Sequence, residues 1–107
     1  MIIKLEKFGT TLLSRQAGKE AALACQSLLR DIKKNENVVI DFKGVSTFSP
    51  SWGDEFLTPL LNKYKNKLIL EITDNPSVVI TIEMLESIHK KEFRIKKNKK
   101  RLNSVTT

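Results

Sequence analysis

Cysteine is nearly missing from this chain. Cys25 stands alone, so no internal disulfide can form and the fold must rest on packing. Histidine is equally scarce, with only His89, and no Cys/His cluster has the spacing of a metal site. Four glycines leave no glycine-rich phosphate loop. No apolar run approaches the roughly 20 residues needed to span a bilayer. The opening MIIKLEKF places charges where a secretory signal would need an apolar stretch, so a cytoplasmic location is expected. What remains is 107 residues, 40% apolar and 29% charged, which suits one domain and leaves no length for a second, catalytic one.

The net charge of +7 invites a nucleic-acid reading, but its placement matters more than its size. Lys90, Lys91, Arg94, Lys96, Lys97, Lys99, Lys100 and Arg101 face the single acid Glu92, while the rest of the chain carries eleven basic and eleven acidic residues. The expectation is a neutral domain over residues 1–90 followed by a basic tail over 91–107. Within the tail, EFRIK reads as a short strand or a docking arm, and NKKRLNSVTT as disordered. Basic runs attract phosphate backbones without needing a fold. The tail therefore supports an alternative function as a small nucleic-acid-binding protein, beside the plain reading of a solvated terminus.

Periodicity divides the domain into alternating elements. Met1 to Phe8 reads as a strand, and Ser14 caps a helix running to about Lys34. On that helix Ala17, Ala21, Cys25, Leu28 and Ile32 mark one buried face, small enough to lie against a sheet. Val38 to Phe42 (VVIDF) has the β-branched composition of a central strand covered on both faces. A helix from about Ser51 carries Trp52, Phe56, Leu60 and Tyr64 at four-residue spacing, with Pro59 predicting a kink or break near Thr58. Lys67 to Ile72 is a further strand. Asn75 and Pro76 then open a helix through Val78, Ile82 and Leu85 to about His89. The order β-α-β-α-β-α implies an α/β domain of two or three layers with a mainly parallel or mixed sheet.

The chemistry-bearing residues concentrate between Val39 and Phe56, where a strand, a Gly44 turn and a serine-rich helix entrance follow one another. Backbone N–H groups at such a helix start favour anions or a phosphorylated side chain. The simpler role is capping, by Ser49 or by Ser51, the latter with Asp54 three residues on in a capping-box pattern. Arg15 and the pair Asp54 and Glu55 lie at two helix starts that one end of a parallel sheet would bring together, which suggests an ion pair. Asp54 and Glu55 are not a convergent catalytic pair, because neighbouring helical residues point about 100° apart. Trp52 serves as core aromatic or as partner anchor. His89 reads as a solvated cation at a helix end, and Cys25 as a structural thiol.

The segment VVIDFKGVSTFSPSWGDEFL, with the upstream TTLLSRQAGKEAALACQSLL, resembles the STAS-like domain of unknown function family. That pattern joins a Ser-Arg helix start, a hydrophobic-Asp-Phe strand and a Phe-x-Asp-Glu helix. Ser14-Arg15 and Asp41-Phe42 match it directly, and Trp52-Gly53-Asp54-Glu55 stands in its third position. The resemblance covers about residues 1–90 and implies a small STAS-like α/β fold. It is similar in turn to the STAS domains of anti-sigma factor antagonists, in which a serine at this helix start is phosphorylated by a partner kinase. By position Ser51 corresponds to that serine, and Ser49 stands where those antagonists carry an aspartate. Here, however, a phosphate on Ser51 would meet the like charges of Asp54 and Glu55.

The expected function is accordingly a non-enzymatic regulatory module that binds another protein, a kinase-like ATPase or other regulator, in bacterial or mobile-element regulation. Its contact surface is expected at Ser49, Ser51, Trp52, Asp54, Glu55 and Arg15. No catalytic residue, cofactor, metal or membrane partner is expected.

Overall fold

The computed structural model describes residues 1–97. Strands β1 (Ile2–Lys4), β3 (Val38–Asp41), β5 (Leu68–Ile72) and β6 (Arg94–Lys97) form a parallel sheet in the order β1-β3-β5-β6. A second parallel pair joins β2 (Thr11–Leu12) to β4 (Thr47–Phe48). Helices α1 (Arg15–Leu28), α2 (Pro50–Tyr64) and α3 (Pro76–His89) make the crossovers. Because strand order follows chain order, crossovers of one hand put all three helices on one face. The result is a two-layer α/β domain, and none of its helices is long and apolar enough to cross a membrane.

Burial along the strands shows the two layers. Ile3, Val38, Ile40, Leu68, Leu70 and Ile72 point under the helices and are buried. Their neighbours Val39, Asp41, Ile69 and Glu71 are only half-buried, and Ile2 is 63% exposed. VVIDF is thus a central strand, as its composition predicts, but it is covered on one face rather than both. Across the open face the register aligns Lys4, Asp41, Glu71 and Lys96, two acids flanked by two lysines.

Four local expectations change. The first strand stops at Lys4, and a 3-10 turn over Leu5–Phe8 takes its place. That turn puts Leu5 in the core and Phe8 against Trp52 and Phe56, which strand alternation could not do. Helix α1 ends at Leu28 instead of Lys34, and the chain turns so that Leu29 and Ile32 fold back onto the core. Ala17 and Leu28 are exposed, and the buried face is Gly18, Ala21, Cys25 and Leu29. Helix α2 runs unbroken through Pro59, whose ring lies at the exposed side. Finally, the short strand read in EFRIK is present, as Arg94–Lys97 pairs with β5 and is anchored by the buried Phe93, and it carries the sheet past the expected domain boundary at residue 90. The expectation of disorder for residues 98–107 lies outside the described residues.

The small residues of α1 face α2 rather than the sheet. A Cβ placed on Gly18 would lie 2.6 Å from the Trp52 carbonyl oxygen and 2.9 Å from the Trp52 Cα. Neither backbone atom can rotate away. Gly18→Ala should therefore push α1 off α2 and cost about 1–3 kcal/mol by overpacking, read as a lower urea midpoint at unchanged slope.

Candidate functional site

Three helices deliver one group of polar side chains. Ser14 Oγ accepts the Ala17 N–H at 3.0 Å, which starts α1 and sets Arg15 as its first residue. Ser49 does the same for α2, accepting the Trp52 N–H at 3.2 Å while its hydroxyl donates to the Leu13 carbonyl at 2.6 Å. The two helix starts are thereby tied, and Arg15 meets the second turn of α2. Its NH1 donates to Glu55 Oε2 at 2.6 Å and to Asp54 Oδ2 at 3.4 Å. The ion pair anticipated from sequence is present.

Two further residues complete the group. Thr58, one turn after Asp54, donates its hydroxyl to Asp54 Oδ1 at 2.8 Å. His89, the last residue of α3, approaches the same oxygen with Nε2 at 2.7 Å. A carboxylate only accepts, so His89 Nε2 carries the proton. Partial burial raises the Asp54 pKa, but hydrogen bonds from Thr58, His89 and Arg15 outweigh it and hold the carboxyl below its ordinary range. The geometry is not a relay for nucleophilic attack. Such a relay uses two different ring nitrogens, one toward the acid and one toward the hydroxyl. Here Thr58 Oγ1 lies 3.4 Å from the nitrogen that already faces Asp54.

The remaining candidates divide. Ser49, not Ser51, caps α2; Ser51 is the second helical residue and half-buried, so no capping box links it to Asp54. Trp52 is 1% exposed and stacks on Phe56 with centroids 4.9 Å apart, which removes it from any contact surface. His89 is a partner of Asp54 rather than a free cation. Cys25 is buried, which pushes its thiol up to about 11 and keeps it protonated at neutral pH. In the basic segment, Lys90 is the left-handed C-cap of α3, Lys91 Nζ donates to Asn62 Oδ1 at 2.7 Å, and Arg94 NH1 donates to the Asn66 carbonyl at 3.2 Å. Lys96 and Lys97 belong to β6. Lys99, Lys100 and Arg101 lie outside the described residues.

Thr58 was readable in principle, since its four-residue offset from Asp54 puts both on one helix face. His89 was not, because 35 residues and a strand separate it from Asp54.

Two measurements follow from this geometry. Ser49→Ala should cost about 0.5–2 kcal/mol through loss of the cap, whereas Ser51→Ala should stay within about 0.5 kcal/mol. Asp54 ionises more easily folded than unfolded, so its stabilisation is present above the unfolded carboxyl pKa and is lost as pH falls through the folded one. Asp54→Asn should therefore lower stability by about 1 kcal/mol at neutral pH. The gap from the native chain should close as the pH drops below about 4 in urea melts.

With this arrangement in view, comparison with known proteins gives one result. No curated protein and no solved structure gives a match. The family described as STAS-like domain of unknown function matches residues 24–78, which spans β3, β4, α2 and β5 and includes Asp54, Glu55 and Thr58. The chain belongs to that STAS-like family.

Proposed function

We propose that the chain is a non-enzymatic regulatory module that binds another protein, in the cytoplasm and within bacterial or mobile-element regulation. The observation that carries this reading lies on α3. One side of the helix sends Val78, Ile82 and Leu85 into the core. Another carries Ile80, Met84 and Ile88, one turn apart and 55%, 45% and 62% exposed. A helix apolar on nearly all sides is ordinarily buried all round, and the described chain covers α3 only in part. The uncovered stripe is about 12 Å long and includes the flexible thioether of Met84, which adapts to varied partner surfaces.

The stripe ends one residue before His89, beside the ion pair of Arg15 with Asp54 and Glu55. An apolar strip with a charged edge has the composition of an interface core and rim. Arg15, Asp54 and Glu55 form that edge, while Ser49 is engaged in capping. Membership of a STAS-like family supports a partner of the kinase-like ATPase or regulator class, as the likeness to anti-sigma factor antagonists implies. Ser51 needs no phosphate in this reading, and Asp54 would oppose one.

Met84→Asp combined with Ile88→Asp should leave the melting curve within about 0.5 kcal/mol of the native chain, since both side chains are exposed. The same pair should remove more than about 2 kcal/mol of binding. Affinity capture from the native host at high salt, with mass spectrometry, provides the measurement. A stoichiometric protein held by the native chain and lost with the double variant supports the reading. Identical captures from both chains would end it.

A further inference from the structure

In a parallel sheet every helix-to-strand connection arrives at the end where the strands begin. Three connections arrive there in this fold: residues 29–37 before β3, 65–67 before β5 and 90–93 before β6. The first carries Arg30, Lys33 and Lys34, and the second Lys65 and Lys67. The third brings Lys91 and leads into Arg94, and Lys63 joins them from the last turn of α2. Six of these eight belong to the part of the chain whose charges sum to zero.

Contacts and shared grooves link seven of the eight, and Lys33 adjoins Lys34 in the chain. Lys67 Nζ donates to the Lys34 carbonyl, and Arg94 to the carbonyl of Asn66 between Lys65 and Lys67. Arg30 and Lys63 share the walls of a groove of about 450 Å³ floored by Phe56 and Leu60. Lys65, Lys91 and Arg94 share those of a second groove, of about 630 Å³, floored by Leu61 and Phe93. Among the described residues none of the eight is in an ion pair. The same segments offer three acids, Asp31, Glu36 and Glu92, and Glu36 holds the amine of Met1 at 2.8 Å. Helix dipoles attract cations only within a last turn. That accounts for Lys63 and not for the lysines beyond it.

We infer that this end of the sheet binds the phosphate backbone of a nucleic acid. Four strands spread their entry loops over about 15 Å, and duplex DNA carries one charge per roughly 1.7 Å of axis, so several phosphates can be met together. The grooves recess their apolar floors between cations, a relief that a protruding sugar-phosphate chain can follow and a flat bilayer cannot. Residues 30–37, 65–67 and 90–92 expose no large apolar side chain, although Met1 and Ile2, 40% and 63% exposed, open β1 at the same end. No helix is presented for reading bases, so contacts are to phosphate and independent of sequence. β6 leaves this end of the sheet and finishes at Lys97 on the other, and the test below separates this surface from the basic residues 99–101.

The test uses the full chain and two variants of equal charge, Lys33→Gln/Lys63→Gln/Lys91→Gln and Lys99→Gln/Lys100→Gln/Arg101→Gln. Each is titrated by fluorescence anisotropy against a short labelled duplex and a single strand, at about 50 and about 200 mM salt. Each is also sedimented with phosphatidylserine-rich vesicles. The native chain should bind nucleic acid with a Kd of about 10⁻⁴ to 10⁻⁶ M that weakens steeply with salt. The first variant should lose about tenfold in affinity and flatten the salt slope by about 2–3, and the second should lose less. Lys→Arg at positions 33, 63 and 91 should retain binding, which guards against a folding defect. The inference is overturned if the 99–101 variant loses as much as the first, if vesicles bind better than nucleic acid, or if the native chain binds no nucleic acid.

Discussion

The burial of Trp52 at the third position of α2 constrains the rest of the domain. Its ring stacks on Phe56, meets Phe48 at 5.9 Å and Phe8 at 6.3 Å, and through Phe48 connects to Phe42 at the end of β3. Removing an indole of this size from water is worth about 4–6 kcal/mol, comparable with the whole stability of a small domain. A helix start is an awkward place for such burial, because its first N–H groups need partners. Ser49 supplies one, and Pro50 has no N–H to satisfy. On the outer side, Gly18 lets α1 settle on the Trp52 backbone itself. Once that contact is made, the position of Arg15 opposite Asp54 and Glu55 follows from one turn of each helix.

This explains what could be read from the sequence. The stripe Trp52, Phe56, Leu60, the caps Ser14 and Asn75 and the strands VVIDF and KLILEI rest on periodicity and local hydrogen bonding, and all occur. The Arg15 pairing was legible because parallel topology brings helix starts to one end. Ser49 was separable from Ser51, because Pro50 repeats at α2 the cap-plus-proline opening that marks Asn75 and Pro76 at α3. The burial of Trp52 selects the same register. The face of α1 was misplaced for a related reason. A hydrophobic count passes over glycine, and at Gly18 the contact is made by the absence of a side chain.

Charge shows a different kind of concealment. The domain sums to neutrality along the sequence, so its electrostatics look featureless. Chain direction then sorts the residues, because lysines placed before strands gather at one end of a parallel sheet however far apart they are in sequence. Fewer acids share that end, and others lie elsewhere, with Asp41 and Glu71 side by side on the open sheet face and Asp54 and Glu55 in the second turn of α2. Topology thus turns a balanced composition into a polar molecule, and no window of sequence contains that information.

The same hydrogen bonds that escape the sequence also fix how α3 is held. At its start Asn75 donates to the carbonyls of Val45 and Ser46, and the hydroxyls of Ser77 and Thr81 donate to the carbonyl of Phe48. At its end His89 is bound to Asp54, and Glu86 accepts the Phe93 N–H at 2.8 Å. The helix is fastened at both ends to residues of other elements, which fixes the direction in which Ile80, Met84 and Ile88 are presented. Pre-organisation of this kind reduces the ordering that a partner must impose on association. The bond from His89 to Asp54 also ties the polar group of Arg15, Asp54 and Thr58 to the end of α3, and so helps set the angle at which its apolar face meets solvent.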